Sequence, residues 1–80
     1  MLLITYLTQL NESQTPFTVN WSMGQTENCV SEINEIDTFY QVLIRTPTGF
    51  IIPLVDLISI SFITDNLTAT VNKDGTVATQ

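Results

Sequence analysis

The sequence contains no histidine and only one cysteine, one lysine and one arginine among its 80 residues. These are the side chains that most often transfer protons, attack substrates or bind metal ions near neutral pH. We therefore expect no catalytic residue, no cofactor and no bound metal ion. The single cysteine, Cys29, also excludes an intrachain disulfide, so packing, or packing with oligomerisation, must hold the fold together.

Positive charge is scarce, because only Arg45 and Lys73 stand against eight carboxylates and the formal net charge is -6. Affinity for DNA or RNA depends on several lysine or arginine contacts with phosphates, and binding to an anionic membrane surface depends on the same charges. We expect neither nucleic acid nor a membrane to be a direct partner. The acidic balance suits either an ordinary soluble protein or a ligand for a basic surface.

Long hydrophobic runs are absent as well. The longest candidate, residues 50–63, contains Pro53, Asp56 and two serines, whereas a membrane-spanning helix needs about 20 apolar residues. The amino-terminal stretch has no basic region and no small-residue cleavage site, so we interpret it as mature structure. Together with the lone cysteine, this predicts a cytoplasmic location.

Hydrophobic residues make up 44 % of the chain and charged residues 12 %, a composition that favours a folded protein over a disordered tail. The length allows one hydrophobic core, so we predict a single domain over residues 1–80.

The first third of the chain predicts two strands. Residues 2–8 are rich in β-branched and aromatic side chains, which favours a strand buried on both sides, with a helix as the alternative. Residues 11–16 are polar and predict a loop. Phe17, Val19 and Trp21 then alternate with polar residues, which is typical of a strand with one buried face.

The spacing of apolar residues changes in the middle of the chain. Cys29, Ile33, Ile36 and Tyr40 fall on one side of a helix, and we predict a short helix over about residues 27–36. An irregular acidic loop is the alternative, because several residues of this segment are indifferent helix formers.

The second half predicts strands joined by tight turns. The expected strands are residues 38–45, residues 50–52, a strand around Ile58, Ile60 and Phe62, and a last hairpin of residues 67–71 and 76–79; the expected turns are residues 46–49, 53–56 and 72–75. The sequence thus predicts a mainly β fold: a small curved sheet or partly open barrel of about six short antiparallel strands with one short helix.

Half of the carboxylates lie in one acidic segment, formed by Glu27, Glu32, Glu35 and Asp37, with no base inside it. Glu32 and Glu35 would be neighbours on a helix and resemble an acid–base pair, but 80 residues leave little room for a substrate cleft. We instead interpret the segment, together with Tyr40, as a partner-binding site. A basic groove would be its natural complement.

Large apolar side chains are also numerous for so small a domain, and some are expected to form a subunit or partner interface. The residues concerned are Trp21, Phe39, Tyr40, Phe50 and Phe62. Cys29 has acidic neighbours, which would raise its thiol pKa, and we expect it to be a buried, unreactive core residue.

The sequence therefore predicts a small non-enzymatic protein-interaction module that self-associates and binds a protein partner through the acidic segment and exposed apolar residues. One alternative is a stoichiometric inhibitor, such as a phage-type accessory or anti-defence protein, that occupies a basic nucleic-acid-binding groove. Another is a structural subunit of a larger assembly.

Overall fold

A computed structural model describes residues 2–37 and 39–80. The elements are, in chain order, helix α1 (Leu3–Ser13) and strands β1 (Phe17–Trp21), β2 (Gly24–Ile36), β3 (Phe39–Arg45), β4 (Ile51–Ile52), β5 (Leu57–Thr64), β6 (Leu67–Asn72) and β7 (Val77–Thr79). The seven strands form one antiparallel sheet that is not closed into a barrel. The prediction of a mainly β fold with one helix is confirmed.

The helix lies at the amino-terminal end of the chain, so the strand predicted over residues 2–8 is wrong and its helical alternative is correct. Leu3, Leu7 and Leu10 recur at helical spacing and turn towards the sheet, where Leu7 and Leu10 are buried. The helix continues into the predicted loop and ends at Gln14, which adopts a left-handed conformation. Pro16 follows two residues later, as it often does after such an end.

The helix predicted over residues 27–36 is also wrong, because this segment belongs to the 13-residue strand β2. Its carboxyl-terminal part pairs with β3 from Val30 opposite Arg45 to Ile36 opposite Phe39. The strand predicted over residues 38–45 is confirmed from Phe39 onward, while Thr38 lies outside the described residues. The helical spacing of apolar residues was a coincidence within a strand whose two faces are both partly apolar.

The sheet order is β4-β3-β2-β1-β5-β6-β7. Strand β2 pairs with two neighbours in succession. Its first part pairs with β1, ending with Cys29 opposite Phe17, and its second part pairs with β3. Asn28 has a left-handed backbone at the junction, and the β1–β2 register shifts there. A bulge of this kind increases the local twist of a strand. Beyond it, β2 continues past the start of β1 and pairs with β3.

The main part of the sheet, on which α1 packs and which we call the body, has one apolar and one polar face, as expected for a sheet covered on one side. On the apolar face, buried side chains of the strands pack with Leu7 of α1 in the core; the largest of these strand residues are Val19, Ile44, Ile52, Ile60 and Val71. On the polar face, Asn20 donates a side-chain hydrogen bond of 3.0 Å to Ser59, and the Ser61 and Thr70 hydroxyls lie 3.2 Å apart. The open face thus carries polar side chains along β1, β5 and β6, together with the exposed apolar side chain of Ile63.

The predicted turns are confirmed in the second half of the chain. The N–H of Gly49 donates to the carbonyl of Thr46, and Gly49 has the positive φ of 89° that its turn requires. A single 3₁₀ turn, Leu54–Asp56, follows Pro53. The last hairpin closes through a hydrogen bond from Gly75 to Asn72. Among the described helices, none is long and apolar enough to cross a membrane.

Candidate functional site

Beyond the end of β4, the β2–β3 hairpin continues as a two-stranded projection, which we call the arm: residues 32–36 of β2 and 39–43 of β3. Strand β1 pairs with β2 only as far as Cys29, and β4 pairs with β3 only at Ile44 and Arg45. Within the described parts of the chain, neither outer edge of the arm has a strand beside it. The molecule measures 40 × 25 × 22 Å along its principal axes.

The four carboxylates of the acidic segment do not form one surface. Glu27 lies in the first part of β2, far along the strand from the arm, beside Trp21 and Met23. Glu32 and Glu35 are three residues apart in a strand and therefore point to opposite faces, whereas a helix would have placed them together. The sequence-based interpretation of a shared acidic helix face is wrong for this reason.

Glu32 also has a compensating base, which the acidic segment itself lacks. Arg45 lies diagonally across the β2–β3 pair, and its Nε and Nη2 donate to the two Glu32 carboxylate oxygens at 2.6 and 2.9 Å. This fork-shaped pair lowers the pKa of Glu32, chiefly through the hydrogen bonds and also through the guanidinium charge. Arg45 additionally donates to the carbonyl of Gly49 at 3.2 Å. Glu32 is therefore less available to a partner than its sequence suggests.

The remaining three predicted site residues stay together at the tip of the arm. Glu35 is directly opposite Tyr40, and Asp37 follows in the turn with a left-handed backbone. All three are exposed, and Tyr40 retains 69 % of its surface. The tip thus combines two carboxylates with an aromatic ring.

One face of the arm joins the beginning of α1 in an apolar groove. Residues directly opposite each other in antiparallel strands share a face, so Ile33 and Val42 lie side by side with Tyr40 next along the strand. Together with Ile4 and Thr8 of α1 they line an open groove of about 470 Å³. The groove lies beyond the part of the sheet that α1 covers.

The other face of the arm is apolar too. Ile36 is paired with Phe39, and both are exposed, Phe39 by 56 %. Leu43 is half-buried further along the same face. The sequence pattern predicts Phe39 and Tyr40 as candidate interface residues, but it places Ile33 and Ile36 on the apolar side of a predicted helix and does not single out Leu43. Reading residues 32–43 as two strands instead of a helix and a strand would have revealed them.

A second apolar groove lies at the opposite end of the sheet, between the β1–β2 and β3–β4 turns. The rings of Trp21 and Phe50 stand 5.8 Å apart at 33°, and the Trp21 indole donates to the Thr26 hydroxyl at 3.0 Å. Met23 and Glu27 also line this groove, whose volume is about 480 Å³. Glu27 therefore belongs to this second groove.

The remaining side chains that could take part in a reaction or bind a metal ion are in ordinary structural environments. Cys29 is buried in the core, where burial raises the pKa of its thiol and the Sγ contacts the Thr26 carbonyl at 3.4 Å. Its acidic neighbours in sequence do not cause the shift. The Lys73 ammonium donates to the carbonyl of Val55 at 3.3 Å. Residues 2–37 and 39–80 contain no cluster of three or more possible metal ligands among histidine, cysteine and carboxylate residues.

The arm is therefore the most distinctive feature of the surface: a projecting ribbon with apolar side chains on both faces and two exposed carboxylates near its tip. Comparisons of the chain with protein-family models, with curated proteins and with solved structures found no significant match.

Proposed function

We propose that the protein is a small non-enzymatic interaction module that self-associates through the arm and presents the acidic tip to a basic protein surface. The observation that carries this proposal is the apolar character of both arm faces. A two-stranded ribbon has no interior of its own and is at best marginally stable alone in water. An exposed apolar surface on such a ribbon becomes favourable when another protein surface covers it.

Self-association fits the composition of the arm. Aromatic and aliphatic side chains dominate its faces, and its internal charge pair, Glu32 with Arg45, is already satisfied within one chain. Two copies can therefore meet over these residues without leaving that pair incomplete. The body differs from the arm, because its open face carries polar side chains that hydrogen-bond to one another, as Asn20 does to Ser59.

Light scattering after size-exclusion chromatography tests self-association. We expect the wild type to form a discrete oligomer whose fraction rises with concentration, and the double variant Phe39→Ser with Tyr40→Ser to be a monomer. The matched control is Val55→Ser with Ile63→Ser, which removes two apolar side chains of the body that are even more exposed than Phe39 and Tyr40. A wild-type protein that is monomeric at every concentration would contradict self-association.

The acidic tip is tested with an immobilised arginine- and lysine-rich peptide at physiological salt. We expect Glu35→Gln with Asp37→Asn to weaken retention more than Glu12→Gln with Asp65→Asn, since both pairs remove the same charge from exposed sites. Surface charges contribute mainly to association rate and are sensitive to salt. Equal losses for the two pairs would mean that only net charge matters and that the tip is no specific site.

A further inference from the structure

The β3 side of the arm has a free backbone edge. The N–H of Thr46 donates to the carbonyl of Phe50, at 2.8 Å, on the side of β3 that faces β4. Because backbone groups alternate in direction along a strand, those of Val42 and Tyr40 point to the same side. Strand β4 ends before it reaches them, and no backbone bond to that edge is formed by residues 2–37 or 39–80.

This edge lacks the features that normally prevent strands from pairing between molecules. Protected edges are short, charged, bulged or interrupted by proline. Strand β4 is two residues long and is followed by Pro53, and β7 at the other end of the sheet is three residues long. Residues 39–43 read Phe-Tyr-Gln-Val-Leu, with no charge and no proline. Among the described edges of the sheet, those of β4 and β7 are two and three residues long, whereas this uncharged segment is five residues long.

The charges of the arm also permit a second copy to approach at this edge. Glu32 and Glu35 lie on β2, the strand of the arm that is farther from this edge, and β3 carries no carboxylate. If two β3 strands pair, the two β2 strands are three strand spacings apart, about 14 Å. That distance exceeds the Debye length of about 8 Å at physiological salt, so the net charge of -6 on each chain does not prevent the contact.

We propose that two copies of the chain pair antiparallel through residues 40–42 of β3, about a two-fold axis at Gln41, and so join their sheets into one. The backbone groups of Tyr40 and Val42 in each copy then bond those of Val42 and Tyr40 in the other. Their side chains meet across the axis and extend the apolar groove from one copy into the next. The antiparallel arrangement directs the two acidic tips to opposite ends, each towards the end of β3 that carries Arg45.

This inference rests on the proposed self-association and specifies its geometry. A two-fold interface of this kind uses the same surface on both copies and closes at the dimer. It satisfies the free backbone edge and covers part of the exposed apolar surface in one step. A strand from a different protein could use the same edge, and the test distinguishes that case.

Disulfide trapping with a single introduced cysteine tests the geometry. Gln41 is exposed and lies on the proposed axis, so the side chains of the two copies are direct cross-strand neighbours, within the range that a disulfide can bridge. Asn34 is directly opposite Gln41 on β2 and is also exposed, but it lies on the other strand of the arm, one strand away from the proposed axis. It is therefore the matched control. The native Cys29 is buried and can be left in place.

In a glutathione redox buffer we expect Gln41→Cys to form a covalent dimer at least about tenfold faster than Asn34→Cys, because the dimer holds its two thiols at a high effective concentration. Wild-type self-association with equal, slow crosslinking of both variants would overturn the edge pairing and leave self-association through the arm intact. If the wild type is a monomer and both cysteine variants crosslink slowly, both the edge pairing and self-association through the arm are contradicted. The free edge would then be a site for a strand of a different protein.

A backbone variant provides an independent check. Tyr40→Pro removes the N–H that points to the free edge and keeps the hydrogen bonds between β3 and β2, and proline is tolerated at such positions of edge strands. We expect Tyr40→Pro to be a folded monomer by circular dichroism and light scattering, whereas Tyr40→Ala keeps the N–H and still forms some dimer. A dimer of undiminished affinity in Tyr40→Pro would contradict the inference.

Discussion

The arm and the body are built from the same sheet and differ in how their faces are used. In the body, one face is apolar and covered by α1, and the other carries serine, threonine and asparagine side chains. In the arm, both faces carry apolar side chains, and α1 reaches only the beginning of one of them, where Val42 is buried in the core. Ile60 in the body is fully buried, whereas Tyr40 in the arm keeps 69 % of its surface exposed.

The difference teaches that the two regions use hydrophobic side chains for different purposes. Burial in the body stabilises the monomer, because those side chains leave water when the chain folds. Most of the apolar surface of the arm stays in water after folding and gains that free energy only when another molecule covers it. Substitutions in the two regions should therefore change different measurements.

The largest expected effect comes from shortening a core side chain in the body. Ile60→Ala should lower the free energy of unfolding by about 2–5 kcal/mol, because it removes buried methyl groups and leaves a cavity in the central strand β5. Ile33→Ala, at a position 38 % exposed in the arm, should cost less than about 1 kcal/mol. Urea unfolding of dilute protein measures both. Equal losses would show that the arm is part of the folding core.

A smaller effect is expected at the hydrogen bond that attaches α1 to β2. The buried Ser31 hydroxyl donates to the carbonyl of Leu7 at 2.5 Å, near the point where the arm leaves the body. Ser31→Ala should cost about 1 kcal/mol of unfolding free energy, whereas Ser22→Ala, at an exposed position, should leave it unchanged. A loss at Ser22 equal to that at Ser31 would contradict the attachment role.

The smallest effect is expected from the charge pair at the base of the arm. Because Arg45 lowers the pKa of Glu32 in the folded protein, this pair stabilises the fold above the ordinary glutamate pKa of about 4.3, and the stabilisation is lost as the pH falls below it. The urea midpoint of Glu32→Gln should therefore fall less between pH 7 and pH 3 than that of the wild type. Glu12→Gln serves as the control and should behave as the wild type does.

The sequence predicts the fold class because period-two alternation and turn residues are local signals. Phe17, Val19 and Trp21 in β1, and Gly49 and Gly75 in their turns, act through the backbone near them. Both errors concern segments in which period two and the helical period coexist. Residues 2–8 have strand-forming side chains, yet the packing of Leu7 and Leu10 on the sheet stabilises a helix and outweighs this local preference.

The candidate site was less accessible to sequence reasoning, because its arrangement depends on which strands pair. Glu35, Asp37 and Tyr40 come together through the β2–β3 hairpin, whereas Glu27 is separated from them by the bulge at Asn28. The ion pair between Glu32 and Arg45 joins residues on two strands, and it becomes visible only once the register is known. A charge run along a sequence therefore says little about a charged surface in a sheet.

The order of the strands also has a consequence for how quickly the chain folds. Strands β1 to β4 follow one another across the sheet, as do β5 to β7, so each group can form from hairpins between sequence neighbours. The two groups meet at β1 and β5, where Val19 pairs with Ile60. Forming that contact orders the long segment of chain between the two strands before their apolar side chains are buried. We therefore expect the folding rate to depend mainly on this one contact. The arm lies in the chain between Val19 and Ile60, so its length is part of the loop that this contact closes.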